Sequence, residues 1–230
     1  MSNLTKRQLE ELKKFDSPTI SNAIETFNIR PRTEGFMGPE IKCILQYNKP
    51  IVGYATTAII SSMKPPNSRQ KEMLYDSYAN VKKAPSPTFL VIQDIDPTPI
   101  GSFWGEVQAT TYSALGCVGT ITNGGVRDLD EVNRLGFGYF ANCILVSHAY
   151  VHIVDYNCSV KVGGLVINPG VLLHADKHGV VLIPDAISLE LAEACRKVLL
   201  SEKPIIEGCR EKTGTGIEID EIRKLREKNK

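Results

Sequence analysis

The chain has 230 residues, with 27 Lys and Arg, 26 Asp and Glu, and a formal net charge of +1. Hydrophobic residues make up 42% and charged residues 23%, which is ordinary globular usage and excludes disordered, collagen-like and coiled-coil classes. No apolar run approaches the ~20 residues that span a bilayer, and the balanced charge favours neither a membrane nor a nucleic-acid partner.

The first residues and the cysteines predict a cytoplasmic protein. Residues 1–10 contain no apolar signal core, and Glu10 and Glu11 are not typical of a transit peptide. The six cysteines lie at least 14 residues apart, with no C-x-x-C spacing. In a chain of this length that pattern predicts reduced, mostly buried thiols rather than a disulfide framework.

Helices and strands alternate in the first half of the chain. Apolar residues at helical spacing predict a first helix that Thr5 or Asn3 could cap. Runs rich in Val, Ile and Thr predict strands, and the Pro- and Gly-rich stretch 28–38 predicts a loop. The predicted helices cover 4–15, 17–24, 68–81 and 106–115, and the predicted strands cover 41–45, 51–60 and 89–94.

The second half is richer in strands. We expect a short strand at 118–121, a tight turn at Asn123-Gly124-Gly125, and several strands with Gly-containing turns between 150 and 184. The other predicted elements are a strand at 139–146 and helices at 128–135, 185–200 and 218–228. The order predicts an α/β domain over residues 1–202 and a C-terminal helical extension over 203–230, starting near Lys203-Pro204.

Two motifs are misleading. Residues 136–141 fit G-x-G-x-x-A, but a predicted helix precedes them and a strand follows, the reverse of a dinucleotide fingerprint. They indicate a helix C-cap instead. His148 and His152 are four residues apart, but on a predicted strand; we interpret them as surface or packed histidines, with a zinc site as the alternative.

The segment from Gly101 to Glu131 carries the chemistry. Gly105 and Glu106 precede a helix whose first turn leaves the N–H groups of Val107 and Gln108 free to bind an anion. Arg127 can grip a carboxylate in a bidentate fork, and Asp128 can hold a hard cation such as Mg²⁺. This combination suits an anionic oxo acid, although an Arg-Asp pair that merely caps a helix remains the alternative.

Three motifs resemble a known family. They are Gly105-Glu106-Val107-Gln108, Gly116-Cys117-Val118-Gly119 and Asn123-Gly124-Gly125-Val126-Arg127-Asp128, with a 22-residue step from Gly105 to Arg127. They match the pattern of the RraA-like family, which contains 4-hydroxy-4-methyl-2-oxoglutarate aldolases, 4-carboxy-4-hydroxy-2-oxoadipate aldolases and regulator of ribonuclease activity A. Residues 15–23, 53–57, 168–170 and 175–184 extend the resemblance over roughly residues 15–200.

The resemblance implies both a fold and an activity. The fold would be a single swivelling β/β/α domain, assembled as a homotrimer or a hexamer of trimers. The activity would be that of a divalent-metal-dependent (class II) pyruvate aldolase, a lyase that cleaves 4-hydroxy-2-oxo acids such as 4-hydroxy-4-methyl-2-oxoglutarate. Oxaloacetate decarboxylation would proceed through the same pyruvate enolate. Its cofactor would be Mg²⁺ or Mn²⁺ and its partner a small 2-oxo acid.

Residue roles follow from the same resemblance. Asp128 would bind the metal, Arg127 would hold the carboxylate or enolate, and the backbone of Gly105, Glu106, Val107 and Gln108 would cradle the pyruvate carboxylate. Glu106 would be a water-mediated metal ligand or a base, or else an acidic residue that complements the helix dipole. An acidic residue of an adjacent subunit, with Glu202 and Glu207 as candidates, would complete the site.

Two other functions stay open. A non-catalytic regulator that binds a protein partner would retain much of the same motif. A same-fold enzyme acting on another small hydroxy acid is also compatible, because Asn22, Gln108 and Val171 depart from the family pattern. A lysine Schiff base is disfavoured, since residues 101–131 contain no lysine.

Overall fold

A computed structural model describes residues 3–47 and 49–227. The α-helices in these ranges are α1 (Lys6–Leu12), α2 (Ser17–Glu25), α3 (Ser68–Lys83), α4 (Glu106–Ala114), α5 (Leu129–Leu135), α6 (Leu191–Glu211) and α7 (Ile219–Glu227). The strands are β1 (Lys42–Cys43), β2 (Ile51–Ser61), β3 (Thr88–Asp94), β4 (Cys117–Val126), β5 (Gly138–Ile144), β6 (His152–Tyr156), β7 (Val160–Val162), β8 (Leu165–Ile167), β9 (Leu172–Asp176) and β10 (Gly179–Ile183). The predicted α/β domain of the swivelling type with C-terminal helices is confirmed.

Four parallel strands form the centre of the main sheet. β2 pairs with β3, β3 with β4, and β4 with β5, all in parallel. β9 and β6 both pair antiparallel with β2, and β10 and β1 form the two ends of the strand order. The carboxyl ends of the parallel strands therefore lie at one edge, where loops of α/β proteins commonly build binding sites.

An aromatic cluster supports that edge. The Trp104 ring lies 5.2 Å from the rings of both Tyr112 and Phe137, and all three side chains are almost fully buried. Trp104 immediately precedes Gly105 and α4, so this packing fixes the start of the helix relative to the sheet. Burying such rings is among the larger apolar contributions that a side chain makes.

A buried polar network anchors the N-terminal helices. α1 begins with the predicted Thr5 cap, closed by Gln8 as a capping box. Below it, the carbonyl of Phe15 lies 3.0 Å from His174 Nε2, and Ser17 Oγ lies 3.0 Å from His174 Nδ1. A carbonyl can only accept, so Nε2 carries a proton, and in the neutral ring Ser17 donates to Nδ1. Burial lowers the pKa of His174 and favours this neutral form.

The predicted tight turn at Asn123-Gly124-Gly125 is wrong, because all three residues belong to β4. The pairing of β4 with β5 is interrupted between Thr122 and Gly125. A Cβ on Gly124 would lie 3.1 Å from Asp94 Oδ2, and one on Gly125 would lie 2.5 Å from the Leu145 side chain. These glycines are needed for close approach inside the sheet rather than for a turn.

The C-terminal helices differ from their predicted bounds. α6 starts later than predicted, after a 3₁₀ turn at Asp185–Ile187, and continues to Glu211 with Pro204 inside it. The predicted start of an extension at Lys203-Pro204 therefore falls within a continuous helix, and the division at residue 202 stays a prediction. α7 follows the predicted last helix, whose expected end at Lys228 lies outside the described residues.

All six cysteines are free, as predicted, but fewer are buried than expected. Cys117 and Cys195 are buried, and the other four are half-buried. Burial raises the pKa of Cys117 to about 11 and that of Cys195 to about 12, which leaves these thiols unreactive at neutral pH. Among the described helices, none is both long and apolar enough to cross a membrane.

We predict that His174 makes the protein less stable in acid. Burial lowers the pKa of this ring below its ordinary 6.5, so the unfolded chain binds the proton first as the pH falls. The free energy of unfolding should therefore decrease as the pH falls below about 6.5. Urea titrations should show a smaller decrease for His174→Gln, which cannot titrate; identical slopes for both proteins would contradict this.

Candidate active site

The carboxyl end of β4 positions Arg127 and Asp128. The backbone of Trp104 forms an isolated parallel bridge with Val126, and Arg127 N donates to the Trp104 carbonyl at 3.0 Å. The chain that leads into α4 thus runs alongside the chain that leaves β4. Residues 22 positions apart in sequence become neighbours at the edge of the sheet.

Gly105 makes the approach close enough for a direct bond. The backbone N–H of Glu106 donates to Asp128 Oδ2 at 2.9 Å. A Cβ on Gly105 would lie 2.5 Å from that oxygen and 3.1 Å from Arg127 Nε. Asp128 itself has φ 56° and ψ 49°, a left-handed conformation that Asp tolerates better than most residues. The local backbone is therefore arranged to bring this carboxylate to the start of α4.

The start of α4 offers unpaired donors. The N–H groups of Val107 and Gln108 have no acceptor among the described residues, as is usual in the first turn of a helix. The guanidinium of Arg127 lies nearby, with Nε 3.8 Å from Asp128 Oδ1 and about a third of its side chain exposed. Together they form a positively polarised surface suited to a carboxylate.

Gln108 also ties α4 to α3. Its side-chain Oε1 accepts a hydrogen bond of 2.7 Å from the hydroxyl of Tyr78, and burial raises the pKa of that phenol. A second link joins Ser77 Oγ and the Tyr112 hydroxyl at 2.9 Å. Because both links are polar and directional, α3 is held as a fixed wall opposite Arg127.

These walls line an open cavity of about 600 Å³. Of the predicted site residues, Gly105, Val107, Gln108, Arg127 and Asp128 line it. Glu106 does not; its side chain is exposed, and its contribution here is the backbone bond to Asp128. Glu202 accepts a 3.4 Å bond from Asn22 and Glu207 pairs with Lys203 at 3.7 Å, both away from the cavity.

Sequence reasoning missed the opposite wall. α3 and the region around the start of β6 contribute Gln70, Lys71, Glu72, Tyr75, His148, Val151, His152 and Ile153. No local motif marks these residues as belonging to the site. The one available signal is the pair His148 and His152, whose sequence context predicts surface or packed histidines, with a zinc site as the alternative.

Asp128 fits a divalent cation in a limited way. No three His, Cys, Asp or Glu side chains converge anywhere in the described ranges, so the chain has no all-protein cage there. Mg²⁺, however, commonly binds proteins through one or two carboxylates and takes its remaining oxygens from substrate and water. A single carboxylate with one oxygen already bonded to Glu106 N matches that mode.

Comparison with known proteins identifies relatives. A model of the RraA-like family, described as Aldolase/RraA, matches residues 8–182. Protein DlpA of Legionella pneumophila is 27% identical over 202 residues, which is 86% of this chain. A protein of Ectopseudomonas mendocina named "Putative 4-hydroxy-4-methyl-2-oxoglutarate aldolase" is 32% identical over 89 residues, 37% of this chain.

The chain matches only part of the length of each of these two relatives. The alignment spans 31% of DlpA and 53% of the Ectopseudomonas protein. In fold, the chain is similar to Streptomyces coelicolor RraAS2, described as an unusual member of the RNase ES inhibitor RraA protein family. The TM-score is 0.69 at 18% identity, covering 88% of this chain and 97% of that one.

We predict that Gly105→Ala weakens anion binding. The added methyl group would collide with Asp128 Oδ2 and crowd Arg127, so both groups must move. Calorimetric titration with oxalate should show affinity reduced roughly tenfold, equivalent to about 1.4 kcal/mol. Thr110→Ala, at an exposed position of the same helix, is the control. Unchanged oxalate affinity in Gly105→Ala would exclude this geometry as the anion site.

Proposed function

The chain belongs to the RraA-like family, and we propose that it is a divalent-metal-dependent pyruvate aldolase. Its substrates would be 4-hydroxy-2-oxo acids such as 4-hydroxy-4-methyl-2-oxoglutarate, cleaved to pyruvate and a second carbonyl compound. Oxaloacetate decarboxylation would be a related activity. The observation that supports this most directly is the meeting of Arg127, Asp128 and two free helix N–H groups on one wall of a cavity.

Substrate binding would begin with the 1-carboxylate. The N–H groups of Val107 and Gln108 would donate to its oxygens, aided by the positive end of the α4 dipole. Arg127 would add charge and a planar pair of donors. With the carboxylate fixed in this way, the neighbouring 2-oxo group would lie toward Asp128.

Cleavage of the C3–C4 bond places negative charge on the pyruvate fragment. Arg127 would stabilise that charge, which exists fully only after the bond begins to break, and such selective stabilisation accelerates a reaction. Asp128 would hold the metal ion, which supplies Lewis-acid polarisation of the 2-oxo group when bound. Glu106 N–H would keep the Asp128 carboxylate in place through its 2.9 Å bond.

The proposal includes assembly into a trimer or a hexamer of trimers. Glu202 and Glu207 both lie on α6 and do not line the cavity of their own chain. Either residue would act only by reaching the site of an adjacent copy. We therefore propose Glu202 or Glu207 of an adjacent copy as the acidic residue that completes the site.

We predict that Asp128→Asn abolishes metal-dependent pyruvate release. Asn retains the size, the tolerance of left-handed backbone and an acceptor for Glu106 N–H, but it removes the charge that would hold Mg²⁺. Lactate dehydrogenase would report pyruvate from 4-hydroxy-4-methyl-2-oxoglutarate and from oxaloacetate, with Mg²⁺, Mn²⁺ or EDTA. The rate with metal alone would be subtracted.

The matched control is Asp130→Asn, an exposed acidic residue in the first turn of α5. It should keep wild-type turnover. Full activity in Asp128→Asn would refute the metal assignment. No release from either compound by the folded, metal-loaded wild type would refute the aldolase itself and favour a regulator or an enzyme for another hydroxy acid.

Arg127→Lys should also be severely impaired despite keeping the positive charge. A lysine ammonium cannot reproduce the planar two-donor geometry of guanidinium. We expect kcat/KM for pyruvate release to fall by about 10²-fold, the scale of losing one preorganised donor. Arg134→Lys, on the exposed side of α5, should change little; comparable losses in both variants would indicate a general effect of arginine replacement.

A further inference from the structure

Two histidines line the cavity that Arg127 and Asp128 share. His148 is exposed in the connection between β5 and β6. His152 is half-buried and is the first residue of β6, where it pairs with Ser61 of β2. Strand pairing gives His152 the more rigid backbone, which matters for a group that must meet a substrate at a fixed place.

A backbone bond sets the tautomer of the His152 ring. Its Nδ1 lies 2.8 Å from the carbonyl oxygen of Tyr150, and a carbonyl can only accept. Nδ1 therefore carries a proton, and in the neutral ring Nε2 holds the lone pair. Nε2 has no hydrogen-bond partner in residues 3–47 and 49–227. The ring thus presents a free base of defined orientation.

Apart from His148, an imidazole on an exposed connection, several polar groups of the cavity are poorer proton acceptors than His152. Asp128 already accepts the Glu106 N–H, and Ser102 Oγ donates to backbone carbonyls. Glu72 is an exposed carboxylate of α3. A carboxylate is a weaker base than an imidazole and is therefore less suited to accept a proton from a hydroxyl group near neutral pH. Within the described lining, His152 combines an unoccupied acceptor with a fixed backbone.

We propose that His152 is the proton acceptor for the C4 hydroxyl group of the substrate. This proposal rests on the proposed function. It assigns the base to the wall of the cavity that faces Arg127. The other charged or titratable groups lining the same cavity are Lys71, Glu72 and Tyr75 of α3, with Arg127, Asp128 and His148. Asp155 lies on β6 itself, and Ser61 of β2 faces His152 across the strand pair.

The proton and electron balance is complete without a further reactant. Nε2 takes the proton from the C4 hydroxyl, and the C4–O bond becomes a carbonyl as the C3–C4 bond breaks. The electron pair of that bond passes to C3 and the 2-oxo group, which gives the pyruvate enolate. The imidazolium then returns the proton to C3, so that pyruvate forms and His152 is neutral again.

Two reactions of the same site separate this role from a structural one. Oxaloacetate loses CO₂ to give the same enolate, but it has no C4 hydroxyl to deprotonate. His152→Asn keeps an N–H for the Tyr150 carbonyl and removes the base. We expect aldol cleavage to fall by at least about 10²-fold, the usual size of a general-base contribution, and decarboxylation to change by less than about threefold.

His178→Asn is the matched control, because this exposed ring bonds the Asp176 carboxylate and does not line the cavity. Both activities of this variant should stay within about threefold of wild type. A His152→Ala variant should regain aldol cleavage when free imidazole is added, which a purely structural role would not permit. Circular dichroism and thermal melting would confirm that each variant folds.

The outcomes distinguish the two proposals. If wild type releases no pyruvate from either compound, the aldolase proposal fails and the role of His152 fails with it. If wild type is active but His152→Asn loses both reactions equally, or neither, only the role of His152 is overturned. A selective loss in His148→Asn would likewise overturn it, by moving the base to the other ring.

Discussion

The hydrogen bond between Glu106 N–H and the Asp128 carboxylate joins two parts of the chain that are separated by the whole of α4 and β4. It forms because Gly105 lacks a side chain, so that the chain entering α4 can pass within contact distance of Asp128 and Arg127. The same bond fixes the carboxylate and leaves the next two helix N–H groups free. Anion binding, charge and orientation at this edge all depend on that one close approach.

The support beneath this contact is apolar, and the support beside it is polar. Trp104, Tyr112 and Phe137 pack under the segment that leads to Gly105 and prevent it from shifting along the sheet. Tyr78 bonds to the side chain of Gln108 and fixes α3 as the facing wall. Gln108 is one of the positions that depart from the family pattern, and here its amide links two helices rather than lining an apolar surface.

The family includes both aldolases and ribonuclease regulators, so a structural feature is required to distinguish the two functions. The Arg127-Asp128 motif does not do so, since a regulator can retain it. A cavity of about 600 Å³ with a second wall of titratable residues has the size and lining of a small-molecule site, which supports the proposed activity. This is why the opposite wall, and His152 in particular, bears on which function the chain performs.

The sequence by itself determined the elements whose signals are local. The Thr5 cap and the β-rich runs depend on neighbouring residues, and they located α1 and β3. The 22-residue spacing from Gly105 to Arg127 marked the two motifs that meet at the site. Only the tertiary structure decided what lies close in space. Asn123-Gly124-Gly125 has turn composition, but its glycines serve close packing against Asp94 and Leu145. Lys203-Pro204 has the composition of a domain boundary, yet α6 continues through Pro204. The wall formed by α3 and β6 has no local signature, because it arises when strands distant in sequence pair and bring their neighbours together.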